Sequence, residues 1–163
     1  MVEAKFVDVQ GAILAAGRGT RLAPLTDYLP KPLVPLMGRP LIEYALDALS
    51  LAGIDQIGIN LYHLGDRIPP ALAHRGESLQ FVQEDVLMGT GGGLRGIIGS
   101  NPSCTAVSIN GDAVFDFPIA PAIQCHRETG AASTLLVRRV PRDSPFARIG
   151  IDEAGRIHRI AEL

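Results

Sequence analysis

The stretch Ala12-Ile13-Leu14-Ala15-Ala16-Gly17-Arg18-Gly19-Thr20-Arg21 governs the reading of the rest of the chain. Five consecutive apolar residues have the length and composition of a strand covered on both faces, as in a parallel sheet. Two glycines then turn the chain, and at such a turn backbone N–H groups can approach an anion with no Cβ in the way. Downstream, Leu29-Pro30-Lys31-Pro32-Leu33-Val34-Pro35 holds a lysine between two prolines. Lys5 and Lys31 are the only lysines among 15 Lys and Arg residues. Arginine therefore serves wherever a generic cation suffices, and Lys31 stands out. The stretch reads as a short buried strand followed by a triphosphate cradle, with Arg21 and Lys31 as its cations.

Working outward, Leu41, Ile42, Ala45, Leu46, Leu49 and Ala52 recur at helical spacing between Pro40 and Gly53, which suit the first turn and the stop of a helix. Ile57–Leu61 reads as a strand, Asp66–Ala73 as a short helix entered through Pro69-Pro70, and Leu79–Val82 as a third strand. Gln83 to Arg95 is a second glycine-rich loop running into a helix that ends near Gly99, with Thr90 as its N-cap. Ala106–Ile109 is a fourth strand closing on Asn110-Gly111-Asp112. A helix over Ile119–Arg127, N-capped by Asp116, and a strand over Ser133–Arg139 continue the alternation. Arg148–Ile151 and Arg156–Ile160, around a turn at Asp152–Gly155, read as a hairpin. This order predicts an α/β fold: a Rossmann-like three-layer αβα arrangement with a mostly parallel sheet and a C-terminal β-hairpin. Ligands in such sheets bind outside the carboxyl ends of the strands. The Gly17 turn, the Gly89 loop and Asp112 all fall there, so they are expected on one rim.

With 163 residues, 47% of them apolar, the chain is expected to fold as one globular domain. A net charge of −2 with scattered arginines provides no basic field for nucleic acid. Met1–Gln10 has no signal-peptide core and no window has the apolar length of a membrane helix, so a cytoplasmic protein with no membrane partner is expected. Cys104 and Cys125 lack zinc-ligand spacing and read as free, buried thiols.

Leu14 to Thr26 followed by Pro30-Lys31-Pro32-Leu33 closely resembles the signature of the sugar-1-phosphate nucleotidylyltransferases, or NDP-sugar pyrophosphorylases. Leu87 to Arg95 and Ile109 to Asp112 are similar to the second and third motifs of that family. Within it the pattern looks most like the mannose-1-phosphate guanylyltransferase-like and muramate-1-phosphate uridylyltransferase-like branch. The resemblance implies a nucleotidyltransferase domain over 1–163 that converts an NTP and a sugar 1-phosphate into an NDP-sugar and pyrophosphate. It implies catalytic roles for Arg21, Lys31 and Asp112, with Asp112 holding Mg²⁺. It implies nucleotide contacts at Ala15, Ala16, Gly17, Gly19, Thr20, Gly89, Thr90 and Gly111, with Gln83 and Glu84 as candidate readers of the base edge. Gly150 and Glu162 match positions on the sugar side.

The family continues past a Glu-Lys-Pro-like motif, whereas this chain stops at Leu163, where the lysine would stand. The sugar-binding part is therefore expected to be cut short, with no counterpart of a second metal carboxylate. The free edge of the terminal hairpin favours a homodimer. Two competing readings remain: a nucleotide-binding module without turnover, and an NAD(P)-binding oxidoreductase domain. The second rests on Gly91-Gly92-Gly93-Leu94-Arg95-Gly96, which fits G-x-G-x-x-G.

Overall fold

The structure, a computed structural model, describes residues 8–99, 104–141, 143 and 148–160. It comprises two compact units, Met1–Gln124 and Cys125–Leu163.

In the first unit β1 (Val9–Leu14) is the organising strand. It ends before Ala15 and Ala16, the tail of the apolar run, because the Ala15 N–H leaves the sheet for the side-chain Oδ1 of Asn60, 2.7 Å away. A two-residue loop with Met37 at φ 51° and Gly38 at φ 82° joins β2 (Pro35–Leu36) to β3 (Arg39–Pro40), as a tight hairpin requires. Helix α1 (Leu41–Leu51) buries Ile42, Ala45, Leu46 and Leu49, the stripe expected from their spacing. Then come β4 (Gln56–Leu61), α2 (Ile68–Ala71), β5 (Ser78–Gln83), α3 (Gly89–Ile98), β6 (Thr105–Asn110) and α4 (Ile119–Thr129).

The four long strands form one sheet in the order β5-β4-β1-β6, with every pairing parallel. The chain builds outward from β1 to β5, then returns across β1 to add β6. That reversal makes the switch point where open α/β sheets open a crevice at their carboxyl ends. Helices cover both faces. A Cβ on Gly11 would lie 2.9 Å from Leu49 Cδ1 of α1, and one on Gly58 of β4, which pairs with Ala12, would lie 2.2 Å from Ile97 Cγ2 of α3. Ile13, Ile42, Leu46, Leu49, Ile57, Ile59 and Ile68 are fully enclosed, each worth about 1.5–3 kcal/mol of hydrophobic burial.

Four sequence expectations need correcting. Thr90 is not an N-cap: α3 begins at Gly89 with Met88 before it, because the Glu84 carboxylate accepts the Met88 N–H at 2.9 Å and sets the entry. Asp116 lies outside the cap of α4, whose first residue is Ile119; a proline at position 118 disfavours helical backbone at the residue before it, so the helix starts only after the proline. Ser133–Arg139 forms no strand. No ladder among the described residues pairs with it, and Leu135, Leu136 and Val137 stay 43%, 51% and 51% exposed. The cysteines are free, but Cys104 is half-buried and Cys125 exposed. Cys125 sits two residues beyond the buried Ile123, about 200° around the helix.

The second unit carries the expected antiparallel pair, β7 (Ile149–Ile151) and β8 (Ile157–Ile160), with a bulge at Gly150/Ile151. Its turn is tied by Asp152 Oδ1, which accepts the N–H groups of Ala154 and Arg156 at 3.0 and 2.8 Å. Among the described residues no helix is long and apolar enough to cross a membrane.

Candidate active site

A cleft of about 370 Å³ opens at the carboxyl ends of β1, β4 and β6. Leu14, the last residue of β1, pairs in register with Asn60 on one side and Asn110 on the other, so two amide side chains flank the strand end. Leu14, Ala15, Ala16, Pro32 and Leu87 give the cleft an apolar part. Gly17, Gly19, Thr20, Arg21, Lys31, Gly89, Thr90, Asn110 and Asp112 give it a polar one. The N–H groups from Gly17 to Thr20 donate to no group among the described residues, the arrangement that makes a backbone anion site.

Buried contacts shape the loop between β1 and Lys31. Gly19 has φ +64°, and a Cβ there would stand 2.9 Å from Thr26 Cγ2 and 3.1 Å from Lys31 Cβ. Only glycine fits both the left-handed backbone and the stem of Lys31 passing beside it. Thr26, 1% exposed, donates its hydroxyl to Gly19 O at 3.0 Å, and its own carbonyl lies 2.8 Å from His63 Nε2. Lys31 opens a 3-10 turn, Lys31–Leu33, whose Pro32 and Leu33 are buried. Its ammonium pairs with the Asp112 carboxylate, both side chains remaining about a quarter exposed. Asp112 follows a turn in which the Gly111 N–H donates to Leu14 O at 2.9 Å. Arg21 lies in the 3-10 turn Thr20–Leu22 at the exposed rim. Arg18 instead sits over the Tyr62 ring, 5.7 Å from its centre.

The floor of the cleft is tied to its far wall. Asn60 accepts from Ala15 through Oδ1 and donates through Nδ2 to Glu84 Oε1 at 2.7 Å. Both Glu84 oxygens are thus engaged by protein donors, the second by the Met88 N–H, and the residue is 8% exposed. Its carboxylate is a strut in this structure, not a free edge reader. Gln83 turns its amide to Glu84 O at 3.1 Å and does not line the cleft.

Over residues 10–162 the chain matches the nucleotidyl transferase family. It belongs to that family. The UTP–glucose-1-phosphate uridylyltransferase of Synechocystis sp. is 34% identical over 166 aligned positions, covering 91% of this chain and 42% of the relative. The mannose-1-phosphate guanylyltransferase of Mycobacterium tuberculosis is 32% identical over 157, with 91% and 42% covered. The chain therefore spans about two fifths of the length of these curated relatives. The solved structure of HddC from Yersinia pseudotuberculosis complexed with GMP-PN superposes with a TM-score of 0.73 at 22% identity, covering 94% of this chain and 69% of that one, a likeness of fold.

In this nucleotidyl transferase chain, ten residues singled out from sequence meet around one cleft: Ala15, Ala16, Gly17, Gly19, Thr20, Arg21, Lys31, Gly89, Thr90 and Asp112. Gly111 packs beneath the rim, where a Cβ would stand 3.2 Å from Ile13 Cγ2. Gly150 lies in β7 of the second unit, where a Cβ would meet the His158 ring at 2.8 Å; Glu162 lies outside the described residues. The glycines of Gly91 to Gly96 sit inside α3, whereas a dinucleotide fingerprint needs them in the turn leaving the strand, so the oxidoreductase reading loses its motif. Asn60 escaped sequence reading. The signal was available: it is the one polar side chain in the run Ile57-Gly58-Ile59-Asn60-Leu61, placed at the strand end.

Among the described residues no group of three or more His, Cys, Asp and Glu side chains could hold a metal ion. Asp112 is the one carboxylate lining the cleft among those residues. That donor set fits a hard cation that takes one carboxylate, phosphate oxygens and waters, and does not fit a metal caged by protein alone.

Proposed function

We propose that the cleft binds a nucleoside triphosphate and that the protein transfers its nucleotidyl group to a sugar 1-phosphate, releasing pyrophosphate. One observation carries this reading. The N–H groups of Gly17–Thr20, which have no partner among the described residues, the cations Arg21 and Lys31 and the carboxylate of Asp112 converge on a cleft at the switch point of the sheet. The names borne by the relatives support the acceptor class.

An oxygen of the sugar phosphate attacks the α-phosphorus; the bond from that phosphorus to the bridging oxygen of the β-phosphate breaks, and pyrophosphate leaves. The attacking phosphate, with a second pKa near about 6, is already largely dianionic at neutral pH and needs no general base. The protein has to align the groups and balance charge. Lys31 and Asp112 neutralise each other in the free protein. A triphosphate entering the cleft competes for the Lys31 ammonium and releases the Asp112 carboxylate. Mg²⁺, if taken up there, would be held by Asp112 with phosphate oxygens and would add charge compensation. Arg21, at the rim, meets the leaving pyrophosphate. Use of a nucleoside triphosphate suits a cytoplasmic protein.

The test is thermal shift against GTP, UTP, dTTP, CTP and ATP with Mg²⁺, followed by pyrophosphate release with a set of sugar 1-phosphates. Stabilisation by at least one nucleotide and release with at least one pairing are expected, both lost in Lys31→Ala. No shift with any nucleotide would overturn the reading. Binding without release favours the second reading, a nucleotide-binding module, for which the presence of one carboxylate in the cleft among the described residues speaks.

A further inference from the structure

We infer that Asn60 and Glu84 are a matched positioning pair that holds the two glycine loops in register across the cleft, and that residue 84 must be a carboxylate because of hydrogen-bond polarity. As far as nucleotide affinity is concerned, the inference rests on the function proposed above. Two backbone donors impose the constraint. The Ala15 N–H points at the Asn60 amide, 2.7 Å away, and a donor there must face the amide oxygen. The orientation of Asn60 is then determined: its NH2 points at Glu84 Oε1, also at 2.7 Å. At the other end of Glu84 stands another backbone donor, the Met88 N–H, 2.9 Å from Oε2. Residue 84 is thus confronted by donors on both sides and has to present two acceptors. A carboxylate does so and a glutamine cannot.

The pair sits where such a constraint is felt. Asn60 and Glu84 are 3% and 8% exposed, so a donor facing a donor finds little water to relieve it. Helix α3 lies directly on them: a Cβ on Gly93 would stand 2.3 Å from Asn60 Nδ2 and 3.0 Å from Glu84 Oε1. Gly93 therefore lets the helix seat on the strut, and the strut runs from the end of β1 through the end of β4 to the residue preceding α3. One linkage sets both Ala15, at the base of the Gly17–Arg21 loop, and Met88, beside Gly89.

Polarity makes the pair exchangeable. In Glu84→Gln the new NH2 meets either the Asn60 NH2 or the Met88 N–H. In Asn60→Asp two carboxylates face each other. When the two substitutions are combined, the carboxylate at position 60 accepts from Ala15 and from the new amide NH2 at position 84. The oxygen of that amide accepts from Met88, so every donor again has an acceptor at nearly unchanged volume.

The experiment reads amide hydrogen exchange at Ala15 in the free 163-residue chain and, in parallel, the dissociation constant for whichever of GTP, UTP, dTTP, CTP or ATP binds. Glu84→Gln should raise Ala15 exchange about tenfold or more, although residue 84 does not touch Ala15, and weaken nucleotide binding by roughly tenfold. The double variant should recover both to within about threefold of the parent. Unchanged Ala15 exchange in Glu84→Gln, or a double variant no better than the singles, overturns the inference. If the singles fail to fold, a folded double is the expected result and an unfolded double the overturning one. If no nucleotide binds the parent protein, the functional proposal fails, while the exchange data still decide the pair.

Discussion

Gly17 and Gly19 stand two residues apart in the same loop, and alanine should act on them in opposite ways. At Gly19 the backbone has φ +64°, and the added Cβ would lie 2.9 Å from Thr26 Cγ2 and 3.1 Å from Lys31 Cβ. The left-handed conformation costs an alanine about 1–2 kcal/mol. Pushing Thr26 or Lys31 aside adds about 1–2 kcal/mol, in the usual range for an overpacked site. Thr26 has little freedom to move, being 1% exposed and bonded through its hydroxyl to Gly19 O. Gly19→Ala should therefore lose about 2–4 kcal/mol, a fall in Tm of roughly 5–15 °C. At Gly17 nothing lies within 4 Å of a Cβ, so Gly17→Ala should keep its stability within about 0.5 kcal/mol. That methyl would, however, stand in the cleft that Gly17 lines, and nucleotide affinity should fall. Urea unfolding followed by circular dichroism, with thermal shift against the nucleotide panel, separates the two. A Gly19→Ala protein within about 2 °C of the parent would refute the account of the loop. A Gly17→Ala protein that binds nucleotide as well as the parent would refute the cradle.

Two further outcomes follow from other parts of the first unit. Gly96 lies in α3, where an added Cβ would have Val82 Cγ1 as its nearest neighbour at 3.7 Å, an ordinary contact. Gly96→Ala should raise stability by about 0.5–1 kcal/mol in urea titration, and a loss would show that α3 is packed more tightly than its geometry implies. The Glu77 carboxyl is held down to about 2 by hydrogen bonds from the Arg75 guanidinium and from Ser50, against the opposing effect of burial. A carboxyl depressed in the folded state adds stability that is complete above its ordinary value near 4.5 and is lost as the pH falls toward the folded value. Glu77→Gln should flatten the decline of Tm between about pH 5 and pH 2; an unaltered profile would remove Glu77 from the acid response.

The periodic and punctuated parts of the chain were legible from sequence because their causes are local. The stripe of Ile42, Ala45, Leu46 and Leu49, the apolar runs of β1 and β4, and the turn from Asp152 to Gly155 each follow from hydrophobic spacing or glycine geometry within a few residues. The expected strand at Ser133–Arg139 failed for the complementary reason: apolar β-branched composition cannot supply a neighbouring edge. The cap of α3 was misassigned because its decisive acceptor, Glu84, reaches Met88 from four residues back and not from the position before the helix.

By itself, then, the sequence determined an alternating α/β chain with two glycine loops and Asp112 at strand ends and a proline-flanked Lys31, since these depend on residue type and spacing along the chain. Only the tertiary structure decided that Lys31 and Asp112 neutralise each other, and that Asn60 and Glu84 join the loops from beneath. Those partners are 81 and 24 residues apart. Hydrogen-bond polarity and ion pairing act over about 3 Å, and only the parallel sheet, by aligning Leu14 with Asn60 and Asn110, brings such distant residues that close.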